Sequence, residues 1–581
     1  MPLRDFTLRT LASVTSVIEP LESRIAPAVL IVTNTGDSGA GSLRQALATA
    51  DSTTHAAQDT IIFHLPAASS GANVINLLSP LISLGNVNIV GPGPGKLIID
   101  AGGAGRAFAF NDNNLAKDSP VAITGLSITN GSITGQGGAI YSLDSLTLKN
   151  VVIAGNTATN GGGIDVDGTN SSVPIKAAVS SSLISNNTAS NYAGGLFLTH
   201  LGAITISTSI ISGNTATNIS GGGLHADVTA RGTGISITGS LFSGDTAMFG
   251  AAAFLSDSAP KPSRIVVARS TISGNASTTP DTSGVGYNAG ALYIAAGNAL
   301  ITATTVANNT STGSCAGIQT RGLASLTIAG STIAGNRDTS TPFPPEGAAG
   351  LYIDGSQSST PPVTISGSII ADNSATNGDG GMFVQNGVKL LISASKVLNN
   401  HGLEAGGIDA LGDNFGMVYL SVVDSLFSGN SGENFAGGIR FDSPGSTSIV
   451  GSRFIDNTTE GRGGGASINN GSSTIIRDTT FSGNISGFTG GALFFSYENF
   501  KIVGGSITGN TAQMGGGVYA FRSTTTIQET TISTNFASSK GGGIFNQPLS
   551  SADTITLKAA RVTGNTALLG PNLYGKYIQG T

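Results

Sequence analysis

Charge is scarce in this chain. Lys, Arg, Asp and Glu together make up 10% of the 581 residues, against roughly a quarter in ordinary globular proteins. The net charge is −6, with no basic stripe, so nucleic acid, which is held through clustered Lys and Arg, is excluded as a partner. A single cysteine, Cys315, excludes an internal disulfide and leaves packing and main-chain hydrogen bonds to hold the fold. No histidine lies near it in sequence, so it reads as a small buried residue and not a nucleophile. No apolar run approaches the length of a membrane span. The five histidines, His55, His64, His200, His225 and His401, show no metal-ligand spacing. Calcium-type Gly-Gly-x-Gly-x-Asp repeats are missing too, so neither a metal nor another cofactor is expected.

Glycine is what the chain has in excess, with 84 residues, about double the usual share. It recurs in a fixed place. A unit close to Thr-Ile-Ser-Gly-Asn-Thr-Ala, then a polar linker, then Gly-Gly-Gly-Ile or Gly-Gly-Ala-Leu, repeats down the sequence. Its asparagine falls at Asn156, Asn187, Asn214, Asn275, Asn309, Asn336, Asn373, Asn400, Asn430, Asn457, Asn484, Asn510, Asn535 and Asn565, with Asp245 taking one turn. The intervals run from 25 to 37 residues, most often 27, which is the signature of a stacked-repeat architecture.

Within each unit apolar residues alternate, as in Leu146-Thr-Leu148, Ile204-Thr-Ile206, Ile235-Ser-Ile237 and Leu326-Thr-Ile328. A period of two means strands with one buried face, and the scarcity of helix formers excludes helical repeats. A unit of this length suits three short strands and three turns. The fold class is therefore all-β, a single-stranded right-handed parallel β-helix whose coils rise about 4.8 Å each. The glycines serve sharp turns, and stacked asparagines can bond to one another as a ladder, so both motifs read as structural. Phosphate-binding Gly-x-Gly patterns fail here, because these glycines precede strands and do not open helices.

Three stretches resemble known families. Glu19-Pro20-Leu21-Glu22-Ser23-Arg24 with Ala26-Pro27-Ala28 resembles an amino-terminal segment of large exported planctomycete proteins, so residues 1–28 read as an export or targeting segment. The stretch from Val32 to Ala46, with Asp59-Thr60-Ile61-Ile62-Phe63, is similar to the opening of many exported bacterial β-helix proteins. Ser42 there can cap a short helix through Ala50 that covers the first coil, and residues 29–120 form this cap and the first coils. Residues 121–581 form the repeat β-helix. Its Gly137-Gly138-Ala139-Ile140 and Gly490-Gly491-Ala492-Leu493, with Phe427-Ser-Gly-Asn430, Phe454-Ile-Asp-Asn457 and Phe481-Ser-Gly-Asn484, resemble the repeats of polymorphic outer-membrane proteins within a pectin-lyase-like β-helix. The resemblance implies a secreted or cell-surface rod with adhesion as a frequent role. It does not imply catalysis. Those relatives carry a translocating barrel that is not recognised in this sequence.

If the residue after each glycine turn points inward, the next points outward, and that row reads Tyr141, Asp165, Phe197, His225, Leu255, Tyr293, Gln319, Tyr352, Phe383, Asp409, Arg440, Ser467, Phe494, Tyr519, Phe545. The aromatic members, Tyr141, Phe197, Tyr293, Tyr352, Phe383, Phe494, Tyr519 and Phe545, are eight of fifteen in a chain only 6% aromatic, so the concentration is not a by-product of composition. Two positions further along each strand come Asp167, Asp227, Asp354 and Asp442, with Arg321. This face is expected to bind an extended polysaccharide or another surface protein; the alternative is that loops fold over it and the rings are their packing floor. A second functional reading is a polysaccharide lyase or hydrolase, for which Asp165 and Asp167, on one strand and one face, are the best acid pair. That coil supplies no Lys or Arg to accompany them.

Overall fold

A computed structural model describes residues 27–580 except 53–57, 69–70, 230–233, 260–262, 279–289, 341–346, 356–359, 414–415, 472 and 551–552. The export-type segment thus lies almost wholly outside the described residues. The chain is a right-handed parallel β-helix of about 19 turns, which at the spacing of paired strands makes a rod roughly 90 Å long.

One coil shows the plan. Ile164–Asp167, Lys176–Ser180, Leu183–Ser185 and Thr188–Ala189 follow one another around the axis, and each pairs in parallel with its counterpart in the next coil: Ile164 with Leu196, Ala177 with Ile204, Leu183 with Ile210 and Thr188 with Thr215. Four sheets therefore run the length of the repeat region, where three strands per coil are expected from the sequence. The additional strand is the two residues after each asparagine: the turn bends the chain enough to separate Leu183–Ser185 from Thr188–Ala189, yet the pair still finds hydrogen-bonding partners in the neighbouring coils.

The alternating apolar residues fill the interior. Leu146, Leu148, Ile204, Ile206, Ile235, Ile237, Leu326 and Ile328 are all buried, and Phe427, Phe454 and Phe481 stack inside with ring centres 4.8 and 4.7 Å apart. The asparagines are buried as well and form a continuous ladder. Asn373, for example, donates both its N–H (3.1 Å) and its Nδ2 (2.9 Å) to Oδ1 of Asn400, and Nδ2 also reaches the Ile333 carbonyl at 3.0 Å. These bonds satisfy main-chain and side-chain groups that no water can reach.

The glycine turn has two separate causes. Gly161 has φ +58°, a conformation that costs other residues, while a Cβ on Gly162 would stand 2.4 Å from the Thr188 carbonyl oxygen of the adjacent coil. Ahead of the first coil, Ser42 accepts the Gln45 N–H at 3.2 Å and starts the helix Leu43–Asp51. Its Leu43, Ala46, Leu47 and Ala50 are buried against Val29–Val32, Asp59–Phe63 and Leu81–Ser83, covering a strand edge that would otherwise be free to pair with another chain. No helix among the described residues is long and apolar enough to cross a membrane.

Candidate functional site

The strands that follow the glycine turns carry the outward row, and their register is unbroken: Tyr141, Asp165, Phe197, His225, Phe254, Tyr293, Gln319, Tyr352, Phe383, Asp409, Arg440, Ser467, Phe494, Tyr519, Phe545 and then Tyr574. One position corrects the sequence reading. Phe254, not Leu255, occupies the row, because the turn before it reads Gly250-Ala251-Ala252-Ala253 and Ala253 is the residue that pairs with inward Leu224; Leu255 is buried in the core. Asp167, Asp227, Arg321, Asp354 and Asp442 do lie two positions on, along the edge of the row.

The expected solvated aromatic face is also corrected. Tyr293, Tyr352, Phe383, Phe494, Tyr519 and Phe545 are buried, and only Tyr141 and Phe197 of the eight are half-exposed. The cover comes from the segments between each asparagine strand and the next glycine turn. Cys315 and Ala348 lie on Tyr352 and Phe383, and Met514 lies against the cluster of Phe494, Tyr519 and Phe545. Cys315 is itself buried, its Sγ 3.2 Å from the Ile318 carbonyl, and burial pushes its thiol well up.

Three stretches of the row differ in what they can do. In the first, Phe197, His225, Phe254 and Tyr293 follow one another with ring centres 5.1, 4.6 and 5.0 Å apart, and Tyr192 stacks on Phe197 at 5.4 Å. Among the described residues, which leave out the linker 279–289 ahead of Tyr293, the cover parts here. A cleft of about 450 Å³ opens over His225, Phe254 and Tyr293, walled by Tyr192 and Phe249 on one side and Arg321 on the other. Burial pulls His225 down to about 3, and its Nδ1 lies 2.7 Å from Ser220 Oγ, so at neutral pH its ring is an uncharged aromatic surface. Arg321 Nε stands 3.5 Å from Asp354 Oδ2.

The middle stretch is a closed polar plug. Arg440 Nη1 is 2.9 Å from Asp409 Oδ2 and 3.6 Å from Glu404 Oε2, its Nη2 is 4.0 Å from Asp442 Oδ2, and Phe435 covers the guanidinium at 3.7 Å. Burial raises both Asp379 and Asp409 against the pull of Arg440. Asp379 accepts the Ala405 N–H at 2.8 Å.

At the amino-terminal end the acid pair divides into two unlike groups. Asp167 accepts the Thr169 N–H at 2.8 Å and its hydroxyl, with His200 Nδ1 at 3.9 Å. Asp165 is 1% exposed, and among the described residues neither of its carboxylate oxygens has a hydrogen-bond partner. Burial first, and Asp167 second, push its pKa well above the ordinary value, while Arg106 pulls the other way. Arg106 comes from two coils below and lies 5.0 Å over the Tyr141 ring. The Tyr141 hydroxyl is pushed up to about 12, chiefly by burial. Burial thus favours the protonated form of Asp165, which is enclosed by protein and, in this conformation, out of a substrate's reach. Among the described residues no three His, Cys, Asp or Glu side chains group as a metal site would.

Comparison with known proteins places the fold. Residues 316–489 match a family model described as a right handed beta helix region. No curated protein matches the chain. Among solved structures, the A-module of mannuronan C-5 epimerase AlgE6 from Azotobacter vinelandii aligns over 94% of this chain and 97% of its own, at 11% identity and a TM-score of 0.20. At that score no residue role is carried over from it.

Proposed function

We propose that the protein is a secreted or cell-surface rod that binds an extended polysaccharide in the cleft over His225, Phe254 and Tyr293. The observation that carries this reading is the change in one row of rings: closed over by loops along much of its length, it is, among the described residues, open where Phe197, His225 and Phe254 are half-exposed and a second pair of rings, Tyr192 and Phe249, stands beside it. Aromatic faces offer a flat apolar surface to the C–H side of a sugar ring, and the cleft has the size and the few polar groups typical of ligand sites. The lyase or hydrolase reading is not adopted, because the enclosed Asp165 cannot pass a proton to a substrate.

The test is a glycan array followed by affinity electrophoresis in polysaccharide gels, comparing the wild type with Phe254→Ala and Tyr192→Ala. Both variants should lose retardation while keeping the wild-type melting profile. Retention unchanged in both rejects the cleft. Tyr352→Ala and Phe383→Ala are unsuitable probes, since those rings are packed beneath Cys315 and Ala348 and their loss would leave a cavity.

A further inference from the structure

The strands that end just before each asparagine, such as Val152–Ala154 and Leu183–Ser185, form a different sheet from the one that carries the cleft. Two of its side-chain columns point outward. One runs from Ser127 to Ile369 and takes in Val152, Leu183, Ile210 and Leu241; the other runs from Thr129 to Ala371 and is serine, alanine or threonine at every one of its nine coils. Neither column holds a charged residue over that length. Ile210 and Ile369 leave 44% and 37% of their surface to solvent, and Val152, Leu183 and Leu241 are half-exposed. The first column therefore stands as an aliphatic ridge and the second, beside it, as a furrow.

The coils that follow show that folding does not ask for this. In the same two columns Ile369 and Ala371 give way to Lys396 and Leu398, and further on to Arg453 and Ile455. There the ridge gains cations and the furrow fills. The positive-φ turns that flank the nine coils add only Arg269 on one side and Asp372 on the other. With those turns the strip is roughly 40 Å long and about 15 Å wide. That is about 600 Å² on each of two copies, which meets the lower end of stable protein interfaces.

We propose that two copies of this chain pair through the strip, each ridge seated in the other's furrow. A two-fold axis parallel to the rods brings ridge opposite furrow at the same height, whereas an axis across them sets ridge on ridge. The two rods therefore lie side by side and point the same way. An uncharged face meets its own copy without repulsion, and closing the pair removes the aliphatic ridge from water. A charged partner would find nothing here to pair with, and a lipid surface has no use for a furrow of constant depth. The pairing does not rest on the ligand reading of the cleft.

The experiment is sedimentation velocity of the full chain over a concentration series at low and high salt, with flotation on phosphatidylcholine vesicles as a second arm. The wild type should reach a dimer by about 0.1 mM, undiminished by salt. Ile210→Lys with Leu241→Lys should weaken it by about ten-fold or more; the fold accepts lysine in this column, as Lys396 shows. Ser212→Leu is the sharper variant. It adds apolar surface, which would strengthen a merely adhesive face, but it fills the furrow and should weaken the pair by about ten-fold or more. Leu426→Lys, in the ridge column beyond the nine coils, should leave the dimer unchanged. Matching melting profiles confirm intact rods. A monomer at every concentration, a dimer dissolved by salt, an unaltered affinity in the double lysine variant, an equal or tighter dimer with Ser212→Leu, an equal loss with Leu426→Lys, or vesicle binding in place of pairing each overturns the proposal.

Discussion

The asparagine turn and the outward strand row repeat with the same coil, yet they are built in opposite ways. From Asn156 to Asn565 the turn uses one chemistry, broken only at Asp245, and nearly every rung makes the same bonds. The row changes from coil to coil: a buried carboxyl, rings, a glutamine, an arginine clamped by acids, a serine, rings again. A stacked architecture demands uniformity only where like must bond to like. Positions free to vary are positions that folding leaves open to function. The interior obeys the first rule, and its loss should have the largest effect. Phe454→Ala, in the middle of the Phe427–Phe454–Phe481 stack, is expected to cost about 3–5 kcal/mol in a denaturant titration. A cost below about 1 kcal/mol would mean that the inner stack is not close-packed.

The ladder should come next. Asn373→Ala removes the acceptor for the N–H and Nδ2 of Asn336 and the donor to the Ile333 carbonyl, all of them buried. Stranded donors cost more than the bond they lost, so about 2–3 kcal/mol is expected from the same titration. If the turn tolerates alanine at no measurable cost, uniformity there has some cause other than hydrogen bonding, and the contrast between the two columns dissolves.

Much of this contrast is legible in the sequence, and for a physical reason. Whatever repeats with the coil appears as a period, so the parallel stack, the buried alternating residues, the ladder and the cap at Ser42 can all be read without coordinates. Vertical neighbours that do not repeat cannot. Arg106 acts on Asp165 from two coils below, and Asp379 and Glu404 join Asp409 and Arg440 from separate coils. Phe254 is mistaken for Leu255 because its turn has alanines where others have glycines. Whether a linker folds over the row is set by residues such as Cys315, Ala348 and Met514, which carry no periodic mark. The open cleft is therefore out of reach of pattern alone, although the aromatic excess marks the strand row along which it lies.

Asp245 sharpens the comparison from within, because it puts one coil's departure into the uniform column. Its Oδ1 accepts from Asn214 N and Nδ2, both at 2.9 Å, and its N–H reaches Asn275 Oδ1 at 3.0 Å. Its Oδ2 is buried, has no hydrogen-bond partner among the described residues, and takes the place where the other rungs have a donating amide. By register that oxygen faces the Ile211 carbonyl, as Asn214 Nδ2 faces Ile184 and Asn275 Nδ2 faces Phe242. Two acceptors face each other unless the acid keeps its proton, and burial does push Asp245 from 3.8 up to about 8. The sign follows: the folded chain holds a proton that the unfolded chain releases near pH 3.8, so this residue's contribution to stability falls as pH rises from about 4 to about 8 and is level outside that window. Asp245→Asn restores the amide and should add on the order of 1 kcal/mol near pH 5, with the gap over wild type widening toward pH 8. Asp144, Asp338 and Glu498, also raised by burial, tilt both proteins alike, so the difference between the two melting curves isolates Asp245. A gap that stays constant across the window would show that the carboxylate is ionised in the fold and that something other than a proton stabilises it there, in the same coil as Phe249 and Phe254.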